Sequence, residues 1–197
     1  MSIIGLCGNK GSGKDTIADY LIENYNFKKL AFADFIKNAL KKLFDWDDDT
    51  FNHENKEKKD EYWDITPREM CQQLGTEFLR IHCKDIISTK FKLPNGEIYH
   101  STYHIKRINQ EVIKLLNQNN NTKIVFSDIR FQDELDYIKK LNGIIIRINR
   151  SNNKQNEFNN HLSEQCIDIL NNIDIEIENN LTINDLNNKV NSIIETL

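Results

Sequence analysis

The stretch Gly8-Asn9-Lys10-Gly11-Ser12-Gly13-Lys14-Asp15-Thr16 decides how this chain is read. Gly8, Gly13 and Lys14 stand at the spacing GxxxxGK, which forms a phosphate cradle when a strand precedes it and a helix follows. Both contexts are present. Ile3, Ile4, Leu6 and Cys7 make a short apolar run suited to a buried strand, and Ile17, Ala18, Leu21 and Ile22 recur with helical spacing after Lys14. Glycines let backbone N–H groups turn inward on phosphate oxygens, and the helix N-terminus adds a favourable dipole. Lys14 is thereby placed to meet the β- and γ-phosphates of a nucleoside triphosphate.

A hydroxyl residue usually follows the lysine of this motif directly. Here Asp15 takes that place and the hydroxyl comes one residue later, at Thr16. A Gly-Lys-x-Thr ending is typical of small nucleotide and metabolite kinases rather than GTPases, and Thr16 is the candidate for contact with phosphate or Mg²⁺.

Further elements alternate along the chain. A strand is expected at Phe27 to Ala31, then a helix carrying Ile36, Leu40 and Leu43. Residues 45 to 62 are strongly charged and read as a solvated loop or exposed helix. Thr66-Pro67-Arg68-Glu69 carries the marks of a helix start: an N-cap hydroxyl, a first-turn proline and a glutamate that completes a capping box. Pro94-Asn95-Gly96 between β-prone residues points to a small hairpin or a loop insertion at 91–99, and a helix is expected from Tyr103 to Leu116. Lys123 to Phe126 as strand, Asp133 to Leu141 as helix and Ile144 to Ile148 as strand follow. Residues 151 to 160 are polar and Asn-rich, and a last strand near Ile173 to Ile177 leads into an amphipathic helix. This alternation predicts an α/β three-layer sandwich around a five-stranded parallel sheet, with the site at the C-terminal strand ends where Gly8, Asp128 and Arg150 fall.

Composition bounds the partners. The 197 residues fit a single domain, and a net charge of −4 gives no general reason to expect binding to nucleic acid polymers. The apolar runs are too short to span a bilayer, and the N-terminus lacks a basic region or cleavage site, so a cytoplasmic protein without a membrane anchor is expected. Cys7, Cys71, Cys83 and Cys166 are scattered without a CxxC pair and read as reduced thiols. His82, His100 and His104 form no metal-ligand spacing.

Beyond the loop, the segments FADFIK (32–37), TPREMCQQLGTEFLR (66–80), SDIRFQDE (127–134) and HLSE (161–164) stand together with GNKGSGKDTIAD (8–19). In this combination the chain resembles the deoxynucleoside monophosphate kinases of phages and large viruses, within the wider P-loop nucleoside monophosphate kinase group. The resemblance implies transfer of the ATP γ-phosphoryl group to a deoxynucleoside monophosphate (dNMP), with Mg²⁺, in supply of deoxynucleotides. It maps ATP binding to Gly11, Ser12, Gly13, Lys14, Asp15 and Thr16. It maps acceptor binding to Lys10, Ile36, Lys37, Arg68, Gly75, Thr76, Asp128, Arg130 and Glu134. An acceptor-binding helical region at about 33–118 and a lid at about 150–163 are implied, and dimers are common in the family. Lys14, Arg130 and the lid arginine Arg150 are the catalytic candidates.

Physical chemistry bears on several of these. Arg68 and Arg130 suit bidentate grip of a dianionic phosphate. Asp128 could orient a magnesium-bound water or hydrogen-bond the acceptor. Arg130 and Glu134, four apart, also fit a surface ion pair, and Arg147 fits a surface position. The chain departs from the family where a tryptophan normally follows the GTE segment: only Tyr103 can stand in, and the insertion near residues 91–100 disturbs the alignment. Two other readings are carried: a kinase for another small acceptor, either phosphomevalonate, which the Ser-Gly-Lys-Asp ending of the loop allows, or dephospho-coenzyme A, against which Asp15 counts, and a P-loop nucleotide-binding module without kinase activity.

Overall fold

A computed structural model describes residues 2–52, 54–87, 89–151 and 161–196. The chain divides into two compact units, one formed by residues 1–32 and 108–197, the other by 33–107.

The first unit is built on a five-stranded, wholly parallel sheet of β1 (Ile3–Cys7), β2 (Phe27–Leu30), β5 (Lys123–Ile129), β6 (Ile144–Asn149) and β7 (Ile175–Glu178). The order across the sheet is β2-β5-β1-β6-β7, so β1 is central and every residue of it is buried. Parallel strands need crossover helices. These are α1 (Lys14–Tyr25), the later part of α4 (Tyr103–Gln118), α5 (Gln132–Lys140) and the short α6 (Leu162–Gln165), with α7 (Ile183–Ile194) closing the chain. Ile4, Leu6, Ile17, Leu21, Val125, Ile146, Ile148, Leu186 and Val190 pack into one apolar cluster. Tyr20 and Tyr25 of α1 both donate from their hydroxyls to Asn191 Oδ1 of α7, each at 2.8 Å, which ties the helix behind the phosphate loop to the C-terminal helix. The expected α/β sandwich with five parallel strands is therefore observed.

The second unit holds α2 (Asp34–Phe44), α3 (Pro67–Gln72) and a hairpin of β3 (Lys90–Lys92) and β4 (Ile98–His100) in the predicted place. Helix α3 does not stop at Gln72. It continues through residues 73–82 as wider π-type turns, and at their end the Cys83 N–H reaches back five residues to the Phe78 carbonyl at 2.9 Å. Such turns are rare and recur at functional sites.

The α3 start is as the sequence predicts. Glu69 N–H donates to Thr66 Oγ1 at 3.1 Å, and the Glu69 carboxylate accepts the Thr66 N–H at 2.9 Å. These bonds from the Thr66 backbone and hydroxyl hold the Glu69 carboxyl below its usual range. A carboxyl depressed in the folded chain stabilises it above the unfolded value, and that share is lost as pH falls through the folded one. Thr66→Ala is expected to cost about 1 kcal/mol in chemical denaturation at neutral pH, with a smaller difference in acid.

The charged segment after α2 is more than a solvated loop. Trp46 is buried, stacked on Phe44 at 4.6 Å and edge-on to Phe51 at 5.8 Å, while Trp63 meets Phe44 edge-on at 5.1 Å. Asp60 accepts the Trp46 indole N–H at 2.8 Å and the backbone N–H groups of Tyr62 and Trp63, each at 2.9 Å. The Trp63 and Trp46 donors hold the Asp60 carboxyl below its ordinary value. The run of charges wraps an aromatic cluster that composition alone concealed.

Candidate active site

The loop between β1 and α1 is held by close backbone approach. Gly8 has φ +141°, and a Cβ built there would lie 2.3 Å from the Ile148 carbonyl oxygen of β6. Gly11 and Gly13 also have positive φ, at +76° and +109°. Side chains rarely adopt such angles, so glycine is required for this path. Gly13 is the N-cap of the 12-residue helix α1, whose N-terminus therefore opens on the loop.

Lys14 folds over its own loop. Its Nζ donates to the Gly8 carbonyl at 2.6 Å and to the Asn9 carbonyl at 2.9 Å. Arg150, just past the end of β6, approaches the Gly11 carbonyl with Nη1 at 3.4 Å. Two cations thus sit on carbonyls of one loop, the charge arrangement that a polyphosphate would draw upon. The Ser12 hydroxyl is buried and has no hydrogen-bond partner among the described residues. An orphaned hydroxyl, a helix N-terminus and a lysine at one turn form a donor set that fits an anion.

Asp15 and Thr16 are exposed on the first turn of α1. Asp15 is paired: Lys29 Nζ lies 3.2 Å from it and 3.4 Å from Asp19. Burial lowers the Lys29 pKa, but the two carboxylates outweigh it and hold the ammonium above its ordinary value. The residue in the usual hydroxyl position is thus engaged with a lysine of β2.

Asp128 lies within β5 rather than after it. The β1–β5 register passes from Gly5 opposite Phe126 to Cys7 opposite Ile129, so β5 carries one extra residue across Ser127 and Asp128. A bulge of this kind re-aims a side chain at a strand end. Asp128 Oδ1 accepts the Phe32 backbone N–H at 2.7 Å. Asp128 and the Thr16 hydroxyl are hard oxygen donors of the type Mg²⁺ takes. Among the described residues no group of three or more His, Cys, Asp or Glu could hold a metal, so a Mg²⁺ here would depend on nucleotide phosphates and water for its other ligands.

Arg130 and Glu134 do not share a helix. Arg130 precedes α5, and Glu134 is buried in its first turn. The Glu134 carboxylate accepts the backbone N–H groups of Arg130 at 2.8 Å and Phe131 at 3.2 Å, which fixes the turn that carries the arginine. Arg147 is not a surface residue: it donates to the Leu170 carbonyl at 2.8 Å and pairs with Glu176 at 3.6 Å. Ser163, in the segment expected to close the lid, is buried, and its hydroxyl meets His161 Nδ1 at 2.8 Å. Residues 152–160 of the expected lid lie outside the described residues. Lys10 lies within the loop, partly buried.

The remaining predicted residues belong to the second unit. Gly75 and Thr76 are buried in the π-type turns, and a Cβ at Gly75 would meet Ile36 Cγ1 at 3.5 Å and His104 Nε2 at 3.9 Å. Lys37, with Asn38, Lys41 and Phe51, lines a cavity of about 360 Å³. Arg68 is largely buried, with Nη1 3.3 Å from Glu57.

Sequence reading missed Asn179 and Asn180, at the end of β7. Asn179 Nδ2 donates to the Ser12 carbonyl at 2.8 Å, and its backbone N–H donates to the Asn149 carbonyl at 2.8 Å. Asn180 Oδ1 accepts the Ser151 N–H at 2.8 Å. Asparagine is so frequent in this chain that these two carried no visible signal.

Comparison with known proteins agrees with this geometry. A protein of Acanthamoeba polyphaga mimivirus described as a putative deoxynucleotide monophosphate kinase is 36% identical over 198 residues, covering 99% of this chain and 97% of that protein. The crystal structure of TT1252 from Thermus thermophilus shares the fold, with a TM-score of 0.53 at 14% identity over 100% of this chain and 97% of that one. The family model for deoxynucleotide monophosphate kinase matches residues 2–63 and 51–190. With its phosphate loop, central parallel sheet and near full-length viral relative, the chain belongs to the deoxynucleotide monophosphate kinase family, a family of phosphotransferases.

Proposed function

We propose that this chain transfers the γ-phosphoryl group of ATP to a dNMP, giving ADP and the diphosphate, as a cytoplasmic enzyme of deoxynucleotide supply. The observation that carries the reading is the Gly8–Thr16 loop, with Lys14 at the N-terminus of α1, in a chain of this family. Among the described residues no helix is long and apolar enough to cross a membrane, as suits an enzyme of diffusible nucleotides.

Phosphoryl transfer needs positioning and charge neutralisation more than a strong base. Amides of Gly11 to Thr16 and the Lys14 ammonium hold the triphosphate. On binding, Lys14 and Arg150 exchange loop carbonyls for phosphate oxygens, and Arg150 stabilises the group in transfer. Mg²⁺, with Thr16 and Asp128 as the donors suited to it, supplies charge neutralisation on the phosphates. Asp128 alternatively serves the acceptor. Lys10, Arg68 and Arg130 take the acceptor phosphate, Glu134 presents Arg130 through the turn it caps, and Ile36, Lys37, Gly75 and Thr76 serve the acceptor nucleoside.

The test is ADP release measured against a panel of dNMPs, NMPs, phosphomevalonate and dephospho-coenzyme A. Release dependent on dNMP supports the reading, and release dependent only on another acceptor overturns it. Arg68→Ala and Arg130→Ala are each expected to raise KM for dNMP by about 10- to 100-fold, corresponding to about 1.5–3 kcal/mol for a charge-assisted hydrogen bond. KM for ATP should change much less in both, and the opposite split would reverse the assignment.

A further inference from the structure

Asn179 is the one residue outside the loop and its helix whose side chain is seen to hydrogen-bond to the Ser12–Gly13 peptide among the described residues. It stands directly after β7, and its backbone is pinned to β6 through Asn149. Its carboxamide therefore projects from the rigid edge of the sheet rather than from a free loop. The approach is close enough to exclude a side chain: a Cβ at Gly13 would lie 2.5 Å from Asn179 Nδ2.

The consequence follows from peptide geometry. In a planar trans peptide the carbonyl and the next N–H point in opposite directions. With the Ser12 carbonyl held toward Asn179, the Gly13 N–H must point away from it. Gly13 also has φ +109°, a conformation from which a glycine peptide can rotate at little steric cost. Without an external anchor the Ser12–Gly13 peptide would be free to turn its carbonyl where its amide should be.

We propose that Asn179 is a positioning residue for the phosphoryl donor: it fixes the Ser12–Gly13 peptide so that the Gly13 amide faces the triphosphate. This rests on the reading of the loop as the ATP site. Asn179 acts through the loop backbone and touches no reacting atom. The same strand end also bears on Arg150, because Asn180 accepts from Ser151 N–H and Asn179 from its own N–H bonds the Asn149 carbonyl, one residue to either side of Arg150.

The experiment compares Asn179→Ala and Asn179→Asp with the unaltered chain, by direct titration with ATP and by steady-state kinetics in both substrates. Loss of one anchored donor should weaken ATP binding about tenfold in Asn179→Ala. Asn179→Asp keeps the size but sets an acceptor against the Ser12 carbonyl, so it should weaken ATP binding at least as much. KM for dNMP should stay within about twofold in both, as expected when only donor binding is touched. A lowered Tm with unchanged ATP affinity would mean a purely structural bond and overturn the proposal, as would an equal rise in both constants. Should Asn179→Ala fail to fold, Asn179→Asp and Asn179→Ser are read by the same split. If the unaltered chain binds ATP but phosphorylates no dNMP, the proposed function fails, while the ATP titrations still decide the role of Asn179.

Discussion

Lys14→Ala is expected to lower kcat by on the order of 10²–10³-fold, about 3–4 kcal/mol of transition-state stabilisation, with the fold intact. The Nζ now rests on the Gly8 and Asn9 carbonyls, at 2.6 and 2.9 Å, so it is held at the loop before any phosphate arrives. Little reorganisation is then needed when charge develops on the transferring group. The stability cost should be modest, about 1–2 kcal/mol, because the Asn9 carbonyl is exposed to water while the carbonyl of buried Gly8 loses a donor. Single-turnover rates and a denaturation curve on the same preparation separate the two effects. Near-normal turnover would remove Lys14 from the mechanism.

Gly8→Ala should act in the opposite way, on the fold first. The added methyl group meets the Ile148 backbone oxygen at 2.3 Å and Ser12 Oγ at 2.9 Å, in a conformation, φ +141°, that alanine avoids. Ile148 belongs to β6, which pairs with β1 from Ile4 to Cys7, so relief requires the two central strands to part. The expected loss is about 3 kcal/mol or more, together with loss of ATP binding. Gly96→Ala provides the contrast. That glycine also has positive φ, +86°, but nothing lies within 4 Å of its Cβ position, so only about 1 kcal/mol of conformational strain is expected. Chemical denaturation of both variants checks the ranking, and a Gly8→Ala protein as stable as the Gly96→Ala one would show that the loop yields easily.

Much of this was legible because local signals and tertiary structure agree. Thr66 and Glu69 form their capping box, Pro94 to Gly96 turn the hairpin, and the apolar run before Gly8 is the buried central strand. Disagreements arise where long-range bonding decides. Aspartate is a poor strand former, and Asp128 reads as lying past a strand that covers Lys123 to Phe126; pairing with β1 carries β5 to Ile129 and inserts a bulge across Ser127 and Asp128. Arg147 alternates with Ile146 and Ile148 as a surface residue would, but carbonyls of 167 and 170 claim its guanidinium. The spacing of Arg130 and Glu134 fits a helical pair, yet the helix begins after Arg130 and Glu134 caps it. Asn179 is the plainest case, since no local pattern distinguishes an asparagine bonded to a loop 167 residues earlier in the chain.

The aromatic cluster under the charged segment has a spectroscopic corollary. Both tryptophans of the chain, Trp46 and Trp63, belong to it, and both lie in the unit of residues 33–107. Phe44 touches each ring, and Asp60 holds the Trp46 indole N–H, so their emission is set by that packing. Intrinsic tryptophan fluorescence is thus a private channel to one half of the protein. The sheet that bears the phosphate loop has no such chromophore. A tryptophan placed on that sheet, in a chain whose Trp46 and Trp63 are replaced by phenylalanine, would report on the other half in the same way, and the two proteins together would follow each half separately.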